Sequence, residues 1–111
     1  MTIVEFPSVE FHAALCIADT HPALPGHFPG RPLVPGVLLL EQVALALRAW
    51  RGQRLARVCE AKFVSPLLPA QLAELSLTDV AGRVRFQIRR DGELLARGLV
   101  EGIPADDGHP S

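Results

Sequence analysis

The hydrophobic rhythm of this chain changes partway along, and the change divides it into elements. Near the C-terminal end, Val84, Phe86 and Ile88 alternate with Arg83, Arg85, Gln87 and Arg89, the two-residue period of a half-buried strand. Ala73, Leu75 and Leu77 alternate with Glu74, Ser76 and Thr78 in the same way. Asp91-Gly92 is a strong hairpin signal, so residues 93–103 return as the last strand. Residues 9–18 and 56–64 read as two further strands, with room for a short one at residues 2–6. Ser65-Pro66 and Pro69 stop the strand at 56–64.

Between the first strands the pattern is of another kind. Pro35 sits where proline is favoured, at the first position of a helix, and Gly52 is a natural stop, which predicts a helix to about Arg51. Its residues Val37, Leu38, Leu39, Leu40, Val43, Ala44, Leu45, Ala46, Leu47 and Ala49 cover every side, which predicts a helix surrounded by protein. Residues 104–111 are polar and read as a disordered tail. The sum is one α+β domain over residues 1–103, a central buried helix with an antiparallel sheet of about five strands. One helix cannot cover such a sheet and open edges invite pairing, so an edge-to-edge homodimer is expected.

Composition narrows the picture by exclusion. The chain has 111 residues, 49% hydrophobic and 21% charged, which is a soluble globular composition. A net charge of −1 gives no bulk argument for nucleic-acid or membrane binding. Residues 37–50 are interrupted by Glu41, Gln42 and Arg48 and are too short to span a bilayer. No charged N-terminus leads an apolar signal core, and Cys16 and Cys59 have no CxxC or Cys/His metal-ligand spacing. Reduced, buried thiols in a cytoplasmic protein are the resulting expectation, with no metal site.

The chemistry is concentrated in and after the loop Gly26-His27-Phe28-Pro29-Gly30-Arg31-Pro32-Leu33-Val34-Pro35-Gly36-Val37. Proline fixes φ and glycine frees it, so such a loop can hold one side chain in place and bring backbone close to a ligand. A loop histidine is ordinarily a solvated one, but His27 stands in constrained surroundings directly before a helix start, where a neutral imidazole can act as a general base. His21, His12 and His109 lack that setting. Glu41 is the only acid in the apolar helix, and a buried charge there would cost several kcal/mol unless paired or neutral. Either it is satisfied on a polar seam, with Arg48 a long reach away, or desolvation keeps it protonated as a general acid. Gly36 and Val37 supply helix N-terminal N–H groups that can polarise a carbonyl, or simply bind water. Along the helix Glu41 stands about 7–8 Å beyond Gly36 and is rotated by roughly 140°, so one chain aims them apart. A site shared across a dimer follows.

These residues carry a resemblance. The run from Gly26 to Pro32, then Pro35-Gly36-Val37-Leu38 and Glu41, with fourteen residues from His27 to Glu41, closely resembles the motif of hot-dog-fold 3-hydroxyacyl-[acyl-carrier-protein] dehydratases of the FabZ/FabA type. Ala61-Lys62-Phe63, Pro66 and Pro69 extend it, so weaker resemblance covers residues 9–103. It departs from the family at Leu45, where a glutamine is usual, at Pro69-Ala70-Gln71 in place of Pro-Gly-Asp, and in beginning almost at the first strand. With His21-Pro22 and the short length, the chain looks more like the compact dehydratases of aryl-polyene or xanthomonadin-type pathways (ApeI-like).

The resemblance implies a hot-dog fold and loss of water from a 3-hydroxyacyl thioester to give the trans-2-enoyl thioester. His27 would take the α-proton, Glu41 from the other subunit would protonate the departing hydroxyl, and Gly36 N–H would hold the carbonyl. No cofactor is implied. The acyl group would arrive on the phosphopantetheine of an acyl carrier protein, with Arg48, Arg51, Arg54 and Arg57 as its docking patch or merely a solvated basic face. Trp50 reads as core or dimer packing. A hot-dog thioesterase and a non-catalytic, carrier-binding partner subunit of a heterodimer are the alternatives.

Overall fold

A computed structural model describes residues 10–18 and 34–105. In chain order these form strand β1 (Glu10–Leu15), helix α1 (Gly36–Arg51), and strands β2 (Gln53–Phe63), β3 (Ala73–Val80), β4 (Arg83–Arg90) and β5 (Glu93–Pro104). All neighbouring strands are antiparallel, and the sheet order is β1-β3-β4-β5-β2. The helix lies on one face, chiefly against β2. This is the hot-dog arrangement that the resemblance implied.

Alternation builds the covered face. Leu75 and Leu77 of β3, Val84, Phe86 and Ile88 of β4, and Ala96 and Val100 of β5 turn inward and are buried. Leu38, Leu39, Val43, Ala46 and Leu47 of α1 close over them. Phe86 and Ile88 have no exposed surface, and losing either ring or branch would leave a cavity rather than a relaxed core.

The edge strand β2 obeys a different rhythm. Its register against β5 slips twice, between Leu55 and Arg57 and between Val58 and Glu60, so Ala56 and Cys59 are extra residues in two bulges. The side chains on the helix side are therefore Leu55, Val58, Ala61 and Phe63, spaced by three, three and two. Both edges of the sheet among the described residues, β1 and β2, have a single strand neighbour.

Several expectations are corrected. Pro35 is the N-cap, with extended backbone (φ −61°, ψ 145°), and the helix proper begins one residue later at Gly36. The first strand ends at Leu15, short of residue 18. Pro104 belongs to β5 rather than to the tail, and Ala105 N–H donates to Gly52 O at 3.0 Å. Cys16 is exposed and Cys59 half-buried; both are free thiols. The helix is not enclosed, because a sheet on one side leaves the opposite side open: Val37 and Leu45 are 65% and 62% exposed. The suggested strand at 2–6, His27 with most of its loop, and residues 106–111 lie outside the described residues.

Candidate functional site

The start of α1 is bare of caps. Pro35 offers no side-chain acceptor and there is no acid in the first turn. Leu38 N–H donates to Pro35 O at 3.0 Å, and the N–H groups of Gly36 and Val37, which precede that bond, have no partner within the helix itself. Val34 N–H donates to Leu67 O at 2.9 Å and pins the chain as it enters the helix. The side of Gly36 where a side chain would stand is filled by the ring of Phe63. Dipole and orphan donors together make this end able to polarise a carbonyl oxygen.

Glu41 is exposed. The expectation that the helix would bury it fails in the single chain for the same geometric reason that exposes Val37 and Leu45. Val37, Glu41, Leu45 and Arg48 follow one another at helical spacing as a single open stripe, so the carboxylate stands among apolar side chains that none of the described residues covers. Glu41 also lines a groove of about 470 Å³ with Leu45, Arg48 and Arg54. Beside the stripe, Val58 and Phe63 on the helix side of β2 are 40% and 48% exposed.

The four arginines separate. Arg48 and Arg54 share the groove with Glu41. Arg51 is committed elsewhere: its Nη2 lies 2.6 Å from Asp79 Oδ2 and its guanidinium sits 4.0 Å from the centroid of the Trp50 ring. Trp50 in turn stacks on Phe11 with centroids 6.2 Å apart, tying the helix end to β1. The hydrogen bond from Arg51, then the backbone N–H of Gly82, hold the Asp79 carboxyl below its ordinary range. Arg57 faces the other side of the sheet, opposite Glu101 in register. Arg51 is thus engaged by an ion pair and a ring, and strand parity places Arg57 on the opposite face of the sheet.

Among the described residues no group of three or more His, Cys, Asp or Glu could hold a metal ion. No described helix is long and apolar enough to cross a membrane. Whether His27 meets Gly36 and Glu41 lies outside the described residues. Sequence reading gave Phe63 no role of its own; alternation could have placed it on the helix side, but its partner is far away in the chain.

The ApeI-like family model, described as ApeI dehydratase, matches residues 5–99. The chain belongs to the ApeI-like family. That match spans His27, Gly36 and Glu41. The chain is also 34% identical over 92 residues to the 3-hydroxyacyl-[acyl-carrier-protein] dehydratase FabZ of Haemophilus influenzae (strain Rd), covering 73% of this chain and 62% of that protein. It thus spans less than two thirds of the length of that curated relative. With the FabZ of Rhodopseudomonas palustris (strain TIE-1) it shares 30% identity over 106 residues, 81% of this chain and 70% of that one. The fold of this ApeI-like chain is similar to a chain of the dehydratase heterocomplex ApeI:P from Xenorhabdus doucetiae, with a TM-score of 0.75, 24% identity, and 88% and 91% of the two chains covered.

Proposed function

We propose that two copies of this chain form a dehydratase acting on 3-hydroxyacyl thioesters carried by acyl carrier protein. His27 of one copy removes the α-proton. Glu41 of the second copy protonates the β-hydroxyl, which leaves as water. The N–H groups of Gly36 and Val37 polarise the thioester carbonyl, and the product is the trans-2-enoyl thioester. The α C–H and β C–O bonds break and the α,β double bond forms, so the step is balanced without a metal or redox cofactor.

The observation that carries the reading is the placing of Gly36 and Glu41 on one helix but on different sides. The helix start carries no side-chain cap from Pro35, while the carboxylate stands in the open apolar stripe of Val37 and Leu45. A second copy laid along β2 would bury that stripe together with Val58 and Phe63, desolvate Glu41 and present it to the other site. The family match over residues 5–99 supports dehydration over hydrolysis, and supports the compact aryl-polyene-type branch within fatty-acid-like biosynthesis. Arg48 and Arg54 would meet an acidic carrier at the rim of the groove, in a cytoplasmic setting that suits two free thiols.

The test is a dehydration assay on 3-hydroxyacyl thioesters of varied chain length, including aryl-bearing ones, with His27→Ala and Glu41→Gln made separately and then mixed. Each variant alone is expected to be nearly inactive. After subunit exchange the mixture regains about a quarter of wild-type activity, because half the dimers are mixed and each has one intact site of two. No recovery in an exchanging mixture, or a monomeric mass at micromolar concentration, rules the shared site out. Recovery only with a different chain as partner would mark a heterodimer instead.

A further inference from the structure

Phe63 ends β2 with its ring tip against the Cα of Gly36. A Cβ built on Gly36 would lie 2.7 Å from Phe63 Cζ, 2.9 Å from Cε2 and 3.1 Å from Cε1. Packed carbons do not approach that closely, so any side chain at position 36 must push the ring aside. The ring is half exposed, but the backbone that carries it is fixed. Phe63 is held opposite Ala96, and both Val64 N–H and Ser65 N–H donate to Leu95 O, at 2.7 and 3.1 Å. The helix start is pinned on its own side by the bond from Val34 N–H to Leu67 O. The strand end and the helix start therefore interlock, a ring on one side and a missing side chain on the other.

We infer that Phe63 is a positioning residue for the thioester carbonyl. Its ring braces the first turn of α1 so that the Gly36 N–H keeps the direction in which it polarises the substrate. A larger residue at position 36 would have to displace the Phe63 ring. The inference rests on the dehydration reading of this site and adds a residue to it. Phe63 acts through Gly36 and need not touch the reacting atoms. Being aimed tip-on, the ring makes a specific demand: a tyrosine hydroxyl would grow directly toward Gly36, whereas leucine would withdraw from it.

The experiment is steady-state dehydration kinetics on the full chain, with thermal midpoints, for Gly36→Ala, Phe63→Tyr, Phe63→Leu and the double variant Gly36→Ala/Phe63→Leu. Gly36→Ala is expected to lower kcat by about tenfold or more with KM little changed, the mark of a contact made in the transition state. Phe63→Tyr should fall by a similar factor and Phe63→Leu by only about threefold. The double variant should recover kcat to about threefold above Gly36→Ala alone, near the level of Phe63→Leu, since the smaller side chain makes room for the added methyl. A double variant no better than Gly36→Ala, or Phe63→Tyr at wild-type kcat, overturns the brace while leaving dehydration standing. A folded wild type with no dehydration activity overturns both. If Gly36→Ala does not fold, the order of Tyr below Leu in kcat decides the matter alone.

Discussion

At its C-terminal end α1 is finished conventionally. Gly52 takes the left-handed conformation (φ 63°) and its N–H donates to Arg48 O at 2.8 Å. Arg48 and Arg51 stand in the last turn, where cations complement the helix dipole, and Arg51 bridges to Asp79 across the Trp50 ring. At the N-terminal end none of these devices is present. Pro35 supplies no cap, no acid lies in the first turn, and an aromatic ring from another strand takes the place of a side chain at Gly36. A helix anchored firmly at one end and packed along one face can leave its other end's donors for a ligand. The comparison teaches that a helix can do without a side-chain cap at one end where packing and the other end's anchors hold it.

The contrast can be broken most sharply at Glu41. Glu41→Gln is expected to lower kcat by about two to four orders of magnitude, the usual range for losing a general acid. Its thermal midpoint should not fall, since a neutral amide is no costlier to enclose between two copies than a carboxylate. A large loss of stability with intact turnover would reverse the roles of the two ends. At the other end, Gly52→Ala should cost about 1–2 kcal/mol, the penalty of a left-handed residue with a Cβ, with kcat per folded enzyme unchanged. Chemical denaturation read beside kinetics separates the two quantities.

Asp79→Asn gives the smallest and most selective effect. Arg51 lowers the folded-state pKa of Asp79 below its ordinary 3.8, so the pair's contribution is present above that value and is lost as pH falls through the folded one. Wild type should therefore be more stable than Asp79→Asn at pH 7, and the two thermal midpoints should begin to approach each other below pH 3.8 and converge as pH falls through the lowered folded-state value. A gap that persisted in acid would mean that the side chain's packing, not its charge, holds the helix end.

Much of this was legible in the sequence because local rules were obeyed. The alternation of Val84, Phe86 and Ile88 gave the inward face of β4, and Gly52 gave the helix stop. The Asp91-Gly92 turn was announced by its residues, and both have positive φ. The neighbouring turn at Ala81-Gly82 has the same two positive φ values, but an alanine at φ 52° carries no such announcement. The inner face of β2 was hidden because two bulges break its period. The openness of the Val37–Glu41–Leu45 stripe was hidden for another reason: an apolar residue covered by its own chain and one left open look identical in sequence. Of the site, the sequence named Gly36 and Glu41 and the rotation between them. The ring against Gly36 could not be read, since it is created by bringing the end of β2 beside the start of α1.

The two bulges of β2 bear on how this protein survives at high concentration. A straight, regular edge strand is a template on which any extended chain can be laid, and sheets that present one tend to grow without limit. Two extra residues in an eleven-residue strand bend that edge, so a flat intruder cannot keep its hydrogen bonds along the whole length. A strand with the same two bends can. The irregularity thus discourages indiscriminate pairing along this edge.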